Sequence, residues 1–369
     1  MRKSKSFLDH LKIDFWLFAS LLLTIVFGMF ILYSASNQNA AVIENQSLKV
    51  LFGFVVMVIF AQANPQVLKV WTPRFFVVSL ILLALVPIIG EKSLGAQRWL
   101  DFGVRFQPSE IIKFTLPMML AWFVSTIGAP DNAKRIFVMF VILVVPCGLI
   151  VIQPDLGTSI LVGAAGIFVI FLAGISWSFI LKSLVALLAF LPVAWSFLLK
   201  PYQKTRVLTL LNPESDPTGS GYHVIQSKIA IGSGGFSGTG WLEGVQSHLN
   251  FIPEQKTDFI FAVLSEELGM IGFFILMFCY FLIIARCFYI FFKLKEVYDR
   301  LVCGALLMIF VCYIFVNIGM VSGILPVVGV PLPLISFGGT SIVTLLAGFG
   351  MISAFYHNQK SKSAKMYRR

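Results

Sequence analysis

The sequence predicts an all-α polytopic membrane protein, and three observations carry that prediction. Hydrophobic residues make up 58% of the 369 positions and charged residues only 12%, where a soluble domain is nearer ~45–50% apolar and ~25% charged. The apolar residues fall into about ten runs, each close to the ~20 residues that cross ~30 Å of hydrocarbon as a helix. The runs are continuous rather than alternating, which selects helices over the strands of a membrane barrel. This composition excludes a disordered chain, a secreted disulfide scaffold and an ordinary cytosolic enzyme. The net charge of +11 would suit nucleic acid in a polar chain, but not in one this apolar.

The runs lie near 14–34, 46–63, 75–90, 109–127, 136–152, 157–174, 176–199, 259–285, 301–321 and 335–356. The first follows Arg2, Lys3 and Lys5 and precedes Ser34-Ala35-Ser36, as a signal peptide would. Its apolar stretch of roughly 19 residues exceeds the ~7–15 of a signal-peptide core, so it reads as an uncleaved span. The fourth run opens on Pro108, which suits a first helical turn where no N–H is needed. The fifth and sixth are joined by the short connector Gln153-Pro-Asp-Leu-Gly-Thr158. Between the seventh and eighth spans lies a large segment, 200–258, too long to be structureless. Within it, Tyr222–Ile231 places apolar residues at 224, 225 and 229, the spacing of a short helix lying on the membrane or packed against the bundle. A second substantial loop covers 91–108, and 357–369 is a basic tail. The whole chain, 1–369, reads as one membrane domain.

Lysine and arginine near the span ends set the orientation. With the N-terminus inside, 17 of them fall on the cytoplasmic side and 10 outside. Both termini are therefore expected in the cytoplasm, and 91–108 and 200–258 outside. The outer acids and bases balance, so the positive excess is a topology signal.

Much of the scattered chemistry is bland. Cys147, Cys279, Cys287, Cys303 and Cys312 sit in apolar runs with no Cys-x-x-Cys pair, which implies packing. His10, His223, His248 and His357 are too dispersed for a zinc site. The glycine-rich run Ile231–Gly240 follows no strand and lacks a P-loop lysine. It reads as a flexible turn or a close-packed loop, with backbone capture of a lipid phosphate as the alternative.

The informative groups are ionisable side chains at the outer span ends, where the cost of burying charge in lipid is mostly avoided. Glu110 and Lys113 are i, i+3 neighbours on the first turn of the fourth span, either a plain ion pair or part of a site. Asp155 can cap the sixth span or face a ligand. Lys200, Lys204 and Arg206 leave the seventh span against the positive-inside trend, either as anchors or as phosphate ligands. Asp258, where the polar segment meets the eighth span, is either an N-cap or a general base. Glu266 and Glu267 lie inside the bilayer unless that span begins near 268. Two classes compete. A transporter or flippase would put charges at broken helices near the midplane. An enzyme acting on a lipid-linked substrate would concentrate them outside, as this sequence does.

Several segments bear a joint resemblance to one family. They are Gly95–Leu100, Arg105-Phe-Gln-Pro-Ser-Glu-Ile-Ile-Lys113, Gln153–Ser159, Gly219-Ser-Gly-Tyr-His223, Pro253-Glu-Gln-Lys-Thr-Asp-Phe-Ile-Phe261 and Asn317–Ser341. The chain resembles the SEDS family of peptidoglycan glycosyltransferases over nearly its whole length, nearer the elongation-associated members than the division-associated ones. Phe337 departs from the tyrosine or small residue that many members carry there. The resemblance implies a ten-span enzyme of the bacterial inner membrane, active on its outer face. It would polymerise lipid II during cell elongation and rod-shape maintenance, with a class B penicillin-binding protein as transpeptidase partner among other elongation proteins. It also implies that Asp258 is the essential aspartate, and that Glu110, Lys113 and Asp155 line the central cavity. A base would take the proton of the attacking sugar hydroxyl, and cations would meet the leaving pyrophosphate. The candidate cations are Arg98, Lys113, Lys204 and Arg206. No organic cofactor is expected. A divalent cation, magnesium or manganese, could share that task, although no ligand cluster is spelled out. The alternatives are a lipid II flippase and a scaffold that activates a transpeptidase.

Overall fold

Each of the predicted runs is a helix in the computed structural model. The structure describes residues 11–366 apart from 94–95, 102, 104, 217–218, 250 and 253. Arg2, Lys3, Lys5, Arg368 and Arg369 lie outside the described residues. The helices of the first half are α1 (Phe15–Ala35), α2 (Ala40–Gln62), α3 (Pro65–Ile89), α4 (Pro108–Ile127), α5 (Ala133–Ile152), α6 (Leu156–Leu172) and α7 (Trp177–Val193). A π-helical turn, Ala194–Leu198, follows α7. The second half holds α8 (Pro201–Leu211), α9 (Ser220–Gly234), α10 (Val245–His248), α11 (Ile260–Lys293), α12 (Val297–Val321) and α13 (Thr340–Met366). Among the described residues nine helices are long and apolar enough to cross a membrane, and α6 adds a shorter one. The protein is a multi-pass membrane protein.

Local chemistry explains where the helices start. Asp14, Asn39, Asn64, Asn132, Asp155 and Ser176 each accept a hydrogen bond from a first-turn N–H, satisfying donors that the helix leaves free. Pro65 and Pro108 occupy first turns, as their fixed φ favours. Packing then sorts the helices. α13 lies along α2, α11 along α1, and α12 against α4 and α6. The centre is formed by α4, α11 and α12, which carry more buried residues than any other helices among the described residues. α7 has no buried residue among its described side chains and stands at the periphery.

Several boundaries differ from the hydropathy reading. The 91–108 loop holds a small antiparallel sheet of β1 (Glu91–Ser93), β2 (Ala96–Asp101) and β3 (Arg105–Phe106) in that order. Lys92 pairs with Gln97, and Leu100 with Phe106. α11 runs on to Lys293, where Arg286 makes a bidentate pair with Asp14 at the start of α1. α13 begins at Thr340 rather than near 335, and carries the tail in helical form to Met366. The backbone before Thr340 is engaged by other elements, which hydropathy does not register.

Segment 200–258 is locally folded. The expected short helix is α9, and it is flanked by α8, a 3-10 turn at Pro213–Ser215 and α10. The glycine-rich run docks where α11 breaks. Gly269 adopts φ 58° and ψ −148°, a conformation that favours glycine. Met270 N–H donates to the Gly235 carbonyl at 3.1 Å, and Gly240 N–H to the Glu267 carbonyl at 3.1 Å. A Cβ on Gly238 would fall 2.0 Å from that Glu267 oxygen. The run is therefore a close-packed turn, and the N–H groups of Thr239 and Gly240 are spent on α11 rather than on a ligand.

The break also places Glu266 and Glu267. Both are fully buried. Glu266 accepts from the N–H groups of Gln246 at 2.7 Å and Ser247 at 3.1 Å. Ser34 donates to Glu267, and His248 Nε2 lies 3.6 Å from Glu267 Oε1. They brace α1, α10 and α11 together and face no lipid.

Candidate active site

Asp258 sits on the turn that enters α11. The N–H groups of Thr257 and Phe259 both donate to the Glu254 carbonyl, at 3.0 and 3.3 Å, which closes the turn. The N-cap position belongs to Phe259, and no side chain caps the helix. Asp258 is therefore not a helix cap, and its carboxylate is available for chemistry. It is half-buried. Burial pushes its pKa up to about 6, the nearby Glu254 charge pushes the same way, and Arg206 opposes them. That is the range in which a carboxylate can take up a proton near neutral pH. His223 on α9 stacks on Phe259 at 5.6 Å, and burial pushes its imidazole pKa down.

A second group of residues shares one cleft. Arg98 of β2, Asp155 at the start of α6, Gln203 and Arg206 of α8, and Val328 from the α12–α13 connection line it. Arg98 Nη2 donates to the Pro154 carbonyl at 2.6 Å, and its Nε lies 3.7 Å from Asp155 Oδ2. Asp155 accepts from Thr158 N–H at 3.2 Å and from Gln107 at 3.2 Å. It is thus a cap and a site wall at once. Arg206 joins the two regions, lining the cleft while its charge acts on Asp258. Two guanidinium groups at one opening form an anion-binding arrangement.

The remaining predicted residues are placed differently. Glu110 and Lys113 make the expected i, i+3 ion pair, and both are buried. Thr344 donates to the other Glu110 oxygen at 3.3 Å, and Lys113 Nζ stands 4.6 Å from the Tyr313 ring centre. This pair lies between α4, α12 and α13, and neither residue is among those lining the Arg98–Arg206 cleft. Lys204 turns toward Trp195, 6.0 Å from its ring centre. The expected triplet of cations on α8 is therefore split, because successive helical positions point in different directions.

Residue-by-residue reading missed Asn317, which is fully buried in α12 and bonds the Asp258 carbonyl. Its signal was an amide inside an apolar run, since a polar group there is costly unless bonded. Among the described residues no group of three His, Cys, Asp or Glu could hold an ion. Asp155 is committed to Arg98, Gln107 and Thr158, and Glu110 to Lys113. The transport reading also loses its motive, because Glu266 and Glu267 are internal braces.

The profile of the FtsW, RodA and SpoVE family, described as cell cycle proteins, matches residues 14–361. The sequence is 48% identical over 360 residues to the peptidoglycan glycosyltransferase MrdB of Escherichia coli strain K12, covering 97% of each chain. The fold matches a chain from a study of how a peptidoglycan synthase complex coordinates polymerization and crosslinking. That match has a TM-score of 0.82 at 32% identity, covering 94% of this chain and 98% of the other. It also matches the rod shape-determining protein RodA of Thermus thermophilus, with a TM-score of 0.72 at 25% identity over 94% and 97% of the two chains.

Proposed function

The chain belongs to the FtsW, RodA and SpoVE family of cell cycle proteins, and from that membership we infer that it is a peptidoglycan glycosyltransferase of cell elongation. Its substrate is lipid II, and its product a glycan strand that maintains rod shape. The observation that carries the reading is Asp258. It is a half-buried carboxylate that caps no helix, with a pKa raised to about 6, standing within the field of Arg206.

The geometry supports an inverting transfer. Asp258 takes the proton of an acceptor sugar hydroxyl as its oxygen bonds to the anomeric carbon of the donor. The bond from that carbon to the lipid pyrophosphate breaks, and the electron pair leaves with the phosphate oxygen. Arg206 and Arg98 meet the growing negative charge. Asp155 holds Arg98 in place. Glu110 and Lys113 form a buried ion pair that ties α4 to α12 and α13 through Tyr313 and Thr344. Lys204 anchors the start of α8 against Trp195.

The bias of positive charge supports both termini in the cytoplasm and the site on the outer face of the inner membrane. That is where lipid II meets a class B penicillin-binding protein, the transpeptidase partner. The 200–258 segment and the sheet are the extracytoplasmic parts of one membrane domain. The test uses purified protein with its transpeptidase partner and labelled lipid II, with polymer length read on a gel. Polymer is expected from the wild type and none from Asp258→Asn. Normal polymer from Asp258→Asn would remove Asp258 as the base. Transfer of lipid II across vesicles without polymer would replace the enzyme reading by a flippase.

A further inference from the structure

The connection between α12 and α13, residues 322–339, has no regular structure, yet its stretch from 330 to 336 is largely buried. Val330, Leu332, Leu334, Ile335 and Ser336 are each at most 3% exposed. Non-helical backbone inside a membrane protein persists only where its polar groups find partners. Here the partners converge on the turn that carries Asp258. Ser336 Oγ donates to the Thr257 carbonyl at 2.5 Å and accepts from Leu332 N–H at 2.8 Å. Phe337 N–H donates to the Lys256 carbonyl at 2.8 Å.

Asn317 completes this set. Its amide nitrogen carries two hydrogens, and both are used. One goes to the Asp258 carbonyl at 2.8 Å and the other to the Val330 carbonyl at 2.6 Å. The next residue back, Gly329, adopts φ +74°, and a Cβ there would lie 3.3 Å from Asp258 Oδ2. The carboxylate therefore faces bare backbone, and one buried amide fixes the spacing between the two.

We propose that Asn317 is a positioning residue for the glycosyl transfer: it clamps the Asp258 turn to the Val330 backbone, holding the carboxylate opposite Gly329 and keeping the space beside it open for the acceptor hydroxyl. The proposal rests on the reading of Asp258 as the base. It acts through placement, because the hydrogen bonds of its amide nitrogen go to the two backbone carbonyls. A misplacement of about 1 Å costs roughly a hundredfold in rate.

The test compares Asn317→Leu and Asn317→Asp with Tyr298→Phe and Asp258→Asn, in the full chain with its transpeptidase partner and lipid II as substrate. Tyr298→Phe removes a buried hydrogen bond to Thr72, 2.7 Å long, at the far end of the same helix. It serves as the control for lost fold stability. Asn317→Leu keeps the volume without the donors, and Asn317→Asp keeps the shape while placing oxygen against two carbonyls. Both are expected to lower kcat about tenfold to a hundredfold with KM within about twofold. Both should also move the acid limb of the pH profile, while Tyr298→Phe lowers Tm and leaves the limb in place. Asn317 variants with wild-type kcat, or with losses that track Tm as in Tyr298→Phe, would overturn the proposal while Asp258→Asn remained inactive. An active Asp258→Asn would overturn the base reading and this proposal with it.

Discussion

Arg98 and Asp155 are 57 positions apart in sequence and belong to different connections, yet they form one unit. Arg98 reaches the Pro154 carbonyl at 2.6 Å and lies 3.7 Å from the Asp155 carboxylate. Arg98→Ala removes both contacts and leaves Asp155 with uncompensated charge in the cleft. We expect a loss of about 1–3 kcal/mol in stability and a fall in turnover beyond that. Arg98→Lys keeps the charge but not the fork, and should recover stability more than rate. Thermal unfolding in detergent and polymerisation rates separate the two effects.

Removing the base is expected to be the largest single loss. Asp258→Asn preserves size and removes the proton acceptor, so the rate should fall about 10²–10⁴-fold. Asp258→Glu should retain part of it, limited by the space beside Gly329. Complex formation with the transpeptidase should be unchanged in both, as checked by co-purification.

The pH profile follows from the sign of the shift. Asp258 works as a base when unprotonated, and its pKa is raised to about 6 by burial and by Glu254, with Arg206 opposing. Polymerisation should therefore fall as pH drops through about 6. Glu254→Gln removes a raising influence and should move the acid limb to lower pH. Arg206→Gln removes a lowering influence and should move it to higher pH. Initial rates across the range decide this, and opposite movement of either variant would contradict the arrangement.

The Glu110–Lys113 pair can be tested for both of its readings. Breaking a buried pair from one side leaves an unpaired charge and costs about 3–5 kcal/mol, while replacing both partners by apolar residues is often neutral. Glu110→Gln alone should therefore lower Tm clearly, and Glu110→Leu with Lys113→Met should recover much of it. A double variant that is stable but does not polymerise assigns the pair to the reaction. One that is stable and active reduces it to a structural brace.

The glycine-rich run gives a purely structural prediction. Gly238 meets the Glu267 carbonyl so closely that a Cβ would lie 2.0 Å away. Its φ of +82° also disfavours any side chain. Gly238→Ala should destabilise by about 1–3 kcal/mol through overpacking, with the loss in unfolding temperature. Gly103, with nothing within 4 Å of its added Cβ, also has positive φ, so Gly103→Ala isolates the conformational part of the cost.

The sequence by itself determined the membrane architecture, because a helix must span hydrocarbon with continuous apolar residues and those runs are visible one after another. It also located the candidate chemistry, since Asp258 and Asp155 each sit where a polar connection meets an apolar helix and Arg98 lies in the polar loop before α4. It left Asp258 balanced between cap and base, because both roles use a carboxylate at a helix start. Only the tertiary structure removed the cap, by giving that position to Phe259. It likewise separated Lys204 from Arg206 by the direction each takes from α8, and turned Glu266 and Glu267 from membrane charges into braces through N–H groups and hydroxyls on other elements. The anchoring of the Asp258 turn by Asn317 and Ser336 spans 59 and 79 positions of sequence, and hydrogen bonds between distant segments leave no local pattern to read. Hydropathy records what each segment does with lipid, and only the packed chain records what the segments do with one another.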